Sequence, residues 1–283
     1  MNRVLVSERL VPNVYRLVLE APEVAASARA GQFLMVIPDS RGERIPLNIA
    51  DWDQERGTVE VVFLNLGAST RKLASLREGD LVEGVAGPLG RSPDLPVSET
   101  VLLVGGCYGI GGLYPLAREL KERGNRVIFL AEARSQAFLY WVERIKRYSD
   151  RFLKFFRQDC LEAGEELIGL MARIKREQAE ISAILVIGCS YLLFRISEAG
   201  ARLGLKTLVN LNPIMVDGTG MCGACRVSVG GRTLFACVDG PWFDGRELDW
   251  VEYFHRRKAF LREEEKALAR LESEFWINRG ERK

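Results

Sequence analysis

Histidine is nearly missing from this chain: His255 is the only one among 283 residues. It stands in a charged, helical C-terminal pattern and reads as a solvated surface side chain. That count leaves no room for a multi-histidine metal site and disfavours a Ser-His-Asp triad, so hydrolase chemistry is not expected. An excess of one charge is missing too. The 40 Lys and Arg face 38 Asp and Glu, a formal net charge of +2, and the two signs are interleaved without a basic stripe, so nucleic acid is not an expected partner. No apolar run approaches the roughly 18 to 20 residues of a membrane span. Met1 to Leu10 already contains Arg3, Glu8 and Arg9, which is not the pattern of a signal peptide. A cytoplasmic setting with reduced thiols is the expectation. There is no internal repeat and no low-complexity tract. What remains, 47% hydrophobic and 28% charged residues, is ordinary globular material, sufficient for two compact domains plus an appendage.

Half of the six cysteines carry the main signal. Asp217, Cys222, Cys225 and Cys237 form D-x4-C-x2-C-x11-C, the ligand spacing of a plant-type [2Fe-2S] site with aspartate in place of the first thiolate. Gly218, Gly220, Gly223 and Ala224 keep the loop nearly free of side chains, so backbone N–H groups can turn toward an anionic cluster. A hard carboxylate oxygen at Asp217 should make its iron easier to release. A structural zinc held by three cysteines and a carboxylate is the competing reading. Zinc ribbons draw on two C-x-x-C knuckles, whereas here the last thiolate follows a hairpin-like stretch, Arg226 to Ala236, turning at Gly230-Gly231. Cys107, Cys160 and Cys189 lack ligand spacing and read as packing thiols.

From Val4 to about Pro96 the text is strand-like. Val14 to Leu19 alternates, Gln32 to Ile37 follows Gly31, and Thr58 to Leu64 is β-branched or apolar, which predicts a small antiparallel barrel. After Pro96, Val101 to Val104 reads as a buried parallel strand running into Gly105, Gly106, Gly109 and Gly111 and then a helix through Lys121. Further strands at Val127 to Ala131, Ala183 to Ile187 and Thr207 to Leu211 alternate with helical patterns over 136–148 and 164–179. A doubly wound α/β domain follows. The metal segment hangs from its end, and a terminal helix is expected over 256–270. The divisions are 1–96 for the barrel, 97–210 for the α/β domain, 211–249 for the cluster segment and 250–283 for the C-terminal helix.

Glycines between a strand and a helix let backbone N–H groups approach a pyrophosphate, although the spacing is not G-x-G-x-x-G and glycine clusters also serve close packing. Arg44, with the extended residues Pro46, Leu47 and Asn48 after it, suits a flavin phosphate and ring. A plain edge strand is the alternative. Gly67, Ser69 and Thr70 precede a short helix and suit phosphate, or equally a capped helix start.

Together these motifs resemble the ferredoxin-NADP reductase superfamily. The resembling branch holds the electron-transfer subunit of dihydroorotate dehydrogenase and the small subunit of NADH-dependent ferredoxin:NADP oxidoreductase, also called sulfide dehydrogenase. The resemblance covers nearly the whole chain and is most specific over Leu211 to Gly245, LNPIMVDGTGMCGACRVSVGGRTLFACVDGPWFDG, including the aspartate ligand. It implies an FAD-binding β-barrel, an NAD-binding domain and a C-terminal [2Fe-2S] segment. By resemblance, Arg44, Pro46, Leu47, Asn48, Gly67, Ser69 and Thr70 fall on flavin positions. Gly105, Gly106, Gly109 and Gly111 fall on the nucleotide loop, and Asp217, Cys222, Cys225 and Cys237 on the cluster ligands.

Several positions depart from that pattern. Asn48 stands where Ser or Thr is usual, Cys107 replaces a third glycine, and Gly112-Leu113 replaces Ala-Pro. Gly188 to Leu193 replaces a Gly-Pro and paired-methionine segment. Glu132 stands where the family has glycine and is expected to repel a dinucleotide phosphate. The implied function is an oxidoreductase subunit in which NAD(H) exchanges a hydride with FAD and the [2Fe-2S] cluster passes single electrons to a larger flavoprotein bearing [4Fe-4S] clusters. Ferredoxin is a further partner and electron bifurcation a further implication. Hydride transfer needs no side-chain acid or base, so no catalytic residue is named. Three rivals stand beside this reading: a relay and docking subunit that has lost NAD(H) turnover, a dihydroorotate dehydrogenase partner, and a zinc-stabilised binding module. The apolar residues Phe260, Leu261, Leu268, Leu271, Phe275 and Trp276 either anchor a partner or pack on the chain's own surface.

Overall fold

The structure, a computed structural model, describes residues 1–157, 164–178 and 180–280, with side chains as far as Ser273. The first half is built from β1 (Asn2–Val11), β2 (Val14–Glu20), α1 (Pro22–Ser27), β3 (Phe33–Ile37), β4 (Ile45–Asp53), β5 (Thr58–Leu64), α2 (Ala68–Ser75), β6 (Leu81–Val82) and β7 (Gly84–Leu89). Their pairing is antiparallel throughout, in the order β6-β1-β2-β5-β4-β3-β7. Only Glu83 separates β6 from β7, yet they occupy opposite edges, so the sheet has to curl on itself. Its inner face is apolar: Leu17, Leu19, Leu34, Ile49, Val61 and Phe63 are buried together, each contributing about 1.5–3 kcal/mol by leaving water. This is the barrel-like half that the alternating strands predict.

The second half comprises β8 (Thr100–Gly106), α3 (Gly109–Glu122), β9 (Arg126–Ala133), α4 (Val142–Lys146), β10 (Arg151–Phe156), α5 (Gly164–Glu177), β11 (Ile181–Ile187), α6 (Ser190–Arg202) and β12 (Lys206–Asn210). The strands run parallel in the order β10-β9-β8-β11-β12. Every residue of β8 is buried, as expected for a central strand covered on both faces. The expected helix over 136–148 shortens to the five residues of α4, because Trp141 takes a left-handed conformation with φ 54° just before it. Residues 151–156 add an edge strand whose Arg151 and Lys154 hid it in the sequence. Cys160 lies outside the described residues.

Beyond β12 the chain forms the hairpin β13 (Arg226–Val229) and β14 (Arg232–Phe235), then β15 (Trp242–Asp244), α7 (Trp250–Arg257) and α8 (Leu261–Gly280). Gly230 and Gly231 both have positive φ, 55° and 74°, as a tight two-residue hairpin turn requires. β15 pairs antiparallel with β12, so the segment does not simply hang from the α/β sheet but returns to it as an edge strand. The terminal helix is two helices. Asp249 caps α7 by accepting from the Glu252 N–H at 2.9 Å. On α8, Leu268 and Leu271 are half-buried while Leu261, and Phe260 just before it, are exposed. The Phe275 and Trp276 side chains lie outside the described residues. No helix among the described residues is long and apolar enough to cross a membrane.

Candidate functional site

A cleft of about 390 Å³ opens where the curled sheet, the α/β sheet and the C-terminal helices meet. Arg44, Pro46, Leu47 and Asn48 line one wall, and Gly67, Ser69 and Thr70 line another. Residues 45–48 of β4 pair with β3 on one side only, because pairing with β5 begins at Ile49. The chain therefore offers the cleft an extended backbone with an unpaired edge, where Pro46 is tolerated. Arg44 is exposed and has no hydrogen bond or ion pair among the described residues. At the start of α2, the Thr70 hydroxyl accepts from the Leu66 and Gly67 N–H groups, both at 3.0 Å, and donates to the Gly67 carbonyl at 3.1 Å. Thr70 thus caps its own loop.

The cleft also takes in residues no motif announced. Tyr108, Asn210, Asn212 and Arg257 line it. Asn210, at the end of β12, is buried, and its amide Nδ2 has no hydrogen-bond partner. An orphaned buried donor facing a cleft is the mark of a ring carbonyl or similar acceptor to be bound there. Together with the open β4 edge, it fits a flavin. No motif singled it out: in sequence it is only a lone asparagine in the apolar strand Thr207 to Leu211. Asn212 is fully engaged. Its Nδ2 donates to the Tyr108 hydroxyl at 2.8 Å, and its Oδ1 accepts from Tyr253 at 2.5 Å and Ser190 at 3.1 Å. The Tyr108 hydroxyl donates onward to the Gly188 carbonyl at 2.8 Å. Burial pushes the Tyr108 hydroxyl well above the usual phenol range and raises that of Tyr253 as well.

The nucleotide loop is tighter than its glycines suggest. A Cβ on Gly109 would stand 2.0 Å from the Ile187 carbonyl oxygen, and one on Gly105 would stand 3.1 Å from Ile110. These two serve close helix–strand packing. Gly106 is overhung by Leu192 and Glu132, whose nearest atoms would lie 2.5 and 2.6 Å from its Cβ. The Gly111 N–H is taken by the Tyr140 hydroxyl at 2.9 Å, and that hydroxyl donates to the Cys107 carbonyl at 2.9 Å. Glu132 is not the bare charge expected. Both it and Arg157 are buried, and they form an ion pair; Arg157 also donates to the Cys189 sulfur at 3.4 Å. The acid is neutralised inside the protein, which removes the expected repulsion of a phosphate.

Three of the expected ligands, Asp217, Cys222 and Cys225, lie on the loop before β13, and the hairpin β13–β14 brings Cys237, just after β14, back beside them. Cys225 and Cys237 are buried with their sulfurs 3.2 Å apart. The Asp217 carboxylate accepts the Thr219 and Cys222 N–H groups at 2.8 and 2.7 Å and also contacts the Cys222 side chain. First the Thr219 N–H, then the Cys222 N–H, hold that carboxyl below its usual range. Burial, with Cys225 beside it, pushes the Cys237 thiol up to about 12, so a metal has to displace its proton. Among the described residues no three such groups surround a single point. Instead they fall into two pairs, Asp217 with Cys222 and Cys225 with Cys237. Two pairs suit a two-iron cluster, in which each iron takes two protein ligands, better than a lone zinc. Gly218, Gly220 and Gly223 all have positive φ, from 66° to 87°, so the turns depend on glycine. A Cβ on Gly218 would lie 2.7 Å from Met35 on β3, which places the ligand loop directly against the curled sheet.

Comparison with known proteins agrees with this geometry. A family profile described as the iron-sulfur cluster binding domain of dihydroorotate dehydrogenase B matches residues 212–249. A Thermotoga maritima protein named as a homolog of the dihydroorotate dehydrogenase B (NAD(+)) electron transfer subunit is 38% identical, over 94% of this chain and 93% of its own length. The corresponding Listeria monocytogenes electron transfer subunit is 28% identical over 87% and 97%. Among solved structures, a chain from the NADH-dependent reduced ferredoxin-NADP oxidoreductase, studied for flavin-based electron bifurcation, superposes with TM-score 0.87. It is 35% identical and covers 95% of this chain and 97% of that one. Phthalate dioxygenase reductase, 16% identical with TM-score 0.58 over 88% and 97%, shares the fold.

Proposed function

This chain belongs to the family of dihydroorotate dehydrogenase B-type electron-transfer subunits within the ferredoxin-NADP reductase superfamily, and from that premise we propose that it carries electrons between NAD(H) and a larger iron-sulfur flavoprotein through FAD and a [2Fe-2S] cluster. The observation that carries this reading is a shared wall. The cleft bounded by Arg44 to Asn48 and Gly67 to Ser69 is also lined by Leu211 to Met215, two residues short of Asp217, so flavin and cluster would be joined by a few packed atoms. FAD supplies the conversion of a hydride's electron pair into single electrons. The residues supply position: the open edge of residues 45–48 and the Asn210 amide for the ring, Arg44 and the α2 start for phosphate, and the two ligand pairs for iron. Val216, Met221 and Val238, exposed around the ligand loop, give the partner an apolar rim beside the exposed Cys222. Electron bifurcation with such a partner, as described for the similar oxidoreductase, is part of the proposal.

One observation favours a relay that no longer turns over NAD(H). The Cys107, Ile110, Gly111 and Gly112 N–H groups are all bonded within the protein, and Tyr108 bridges to Gly188 and Asn212 across the gap between the two loops. Anaerobic purification with flavin, iron and sulfide quantitation, followed by NADH, separates the two. Bleaching of the flavin band is the expected result. Full flavin and iron with an unchanged spectrum would transfer the entry of electrons to the partner.

A further inference from the structure

The cleft holds a cation that the motifs do not account for. Arg257 is the last residue of α7, beyond the cluster segment, and it lines the same cleft as Tyr108, Asn210 and Asn212. It is half-buried and has neither hydrogen bond nor ion pair among the described residues. Its helix is held at two points: Asp249 caps the start, and the hydroxyl of Tyr253, midway along, is bonded to Asn212. The adjacent arginine is occupied. Arg256, one residue earlier, donates to the Arg226 and Ala224 carbonyls of the ligand hairpin. In the same cleft, Asn210 offers an unpartnered buried amide. Two donors without partners, one of them charged, thus line the same cleft.

We propose that Arg257 and Asn210 grip the pyrimidine edge of the flavin ring, with Asn210 donating to a ring carbonyl and Arg257 set against the N1–C2=O edge. A hydride taken from NADH delivers two electrons and one proton to the ring and leaves NAD⁺. The ring therefore gains one net negative charge, which resides on that edge. A fixed, partly desolvated guanidinium favours the reduced, charged form over the neutral oxidised one. Arg257 is thereby a residue that sets how strongly this flavin holds its electrons. The proposal rests on the flavin assignment of the cleft and goes beyond it, because nothing in that assignment requires a cation from α7.

The test is an anaerobic reductive titration of the purified protein against indicator dyes, with dithionite as reductant, so that NADH competence does not enter. R257Q should shift the reduced-to-oxidised FAD ratio at fixed potential by about tenfold toward oxidised, which is ~30 mV for a two-electron couple. R257K should retain most of the wild-type value, and N210A should lower flavin retention through dialysis. Cluster absorbance and iron content serve as controls for folding. An unchanged FAD potential in R257Q with flavin and cluster intact would overturn the proposal. So would an unchanged potential accompanied by a raised KM for NADH, since the cation would then belong to the nucleotide. If the wild-type protein binds no FAD, it is the reading of the cleft that fails instead.

Discussion

Asp217 is the proposed ligand whose chemistry is most local. Its spacing to three cysteines and the glycines between them needed no tertiary structure to interpret. Replacing it with the softer ligand, D217C, should slow iron loss to a chelator severalfold, followed as bleaching of the cluster band. Two glycines give a second residue-scale contrast. A Cβ added to Gly169 in α5 would meet nothing within 4 Å, whereas one on Gly109 would face the Ile187 carbonyl at 2.0 Å. G169A should therefore raise stability by about 0.5–1 kcal/mol, and G109A should lower it by roughly 3 kcal/mol or more, both read from urea unfolding. Arg257 and Asn210 were not legible as site residues. They lie 47 positions apart and far from the flavin motifs in sequence, and only the fold, with α7 packed on β13, brings them to one cleft.

At the scale of elements, strands buried on both faces announced themselves and edge strands did not. β8 and β11 each contain an unbroken apolar run, Val101 to Val104 and Ala183 to Ile187. β10 carries Arg151 and Lys154, and β15 is only three residues long, so neither has a period to read. The glycine loop was found between strand and helix as expected, but its purpose was only half visible: Tyr140, whose hydroxyl takes the Gly111 N–H, comes from elsewhere, and Tyr108, within the loop, ties it to Gly188 and to Asn212, which Tyr253 also bonds. Those tyrosines give the element-scale prediction. Burial raises the Tyr108, Tyr140 and Tyr253 hydroxyls above the phenol range. Unfolded tyrosine ionises near about pH 10, so the contribution of these protonated hydroxyls is complete below that value and is lost as pH rises beyond it. Stability by urea unfolding should fall between about pH 9 and pH 11, on the order of a proton or more being bound only by the folded chain, and Y253F should fall less steeply than wild type.

For the whole molecule, the two halves are tied by a charge web that composition conceals. Glu60 on β5 accepts from Arg16 and from Arg144 of α4, both at 2.8 Å; Asp51 on β4 accepts from Arg118 of α3 at 2.8 Å and pairs with Arg144 as well. Arg144 also lies 4.1 and 4.2 Å from the Trp141 and Tyr114 ring centres. E60A leaves two arginines without their shared carboxylate. It should cost roughly 2–3 kcal/mol, below the full penalty for a fully buried pair because the arginines keep some solvent, and flavin should be released at a lower temperature in a fluorescence melt.

The return of β15 to β12 has its own consequence. The iron-carrying segment is spliced into the sheet at both ends, leaving along Leu211 and coming back at Trp242, whose indole N–H donates to the Gly31 carbonyl of the first half at 2.9 Å. A module held that way cannot swing on a tether to collect electrons in one place and deliver them in another. It behaves as a soldered terminal: the partner has to come to it, and the distance from ring to iron is set once, at folding.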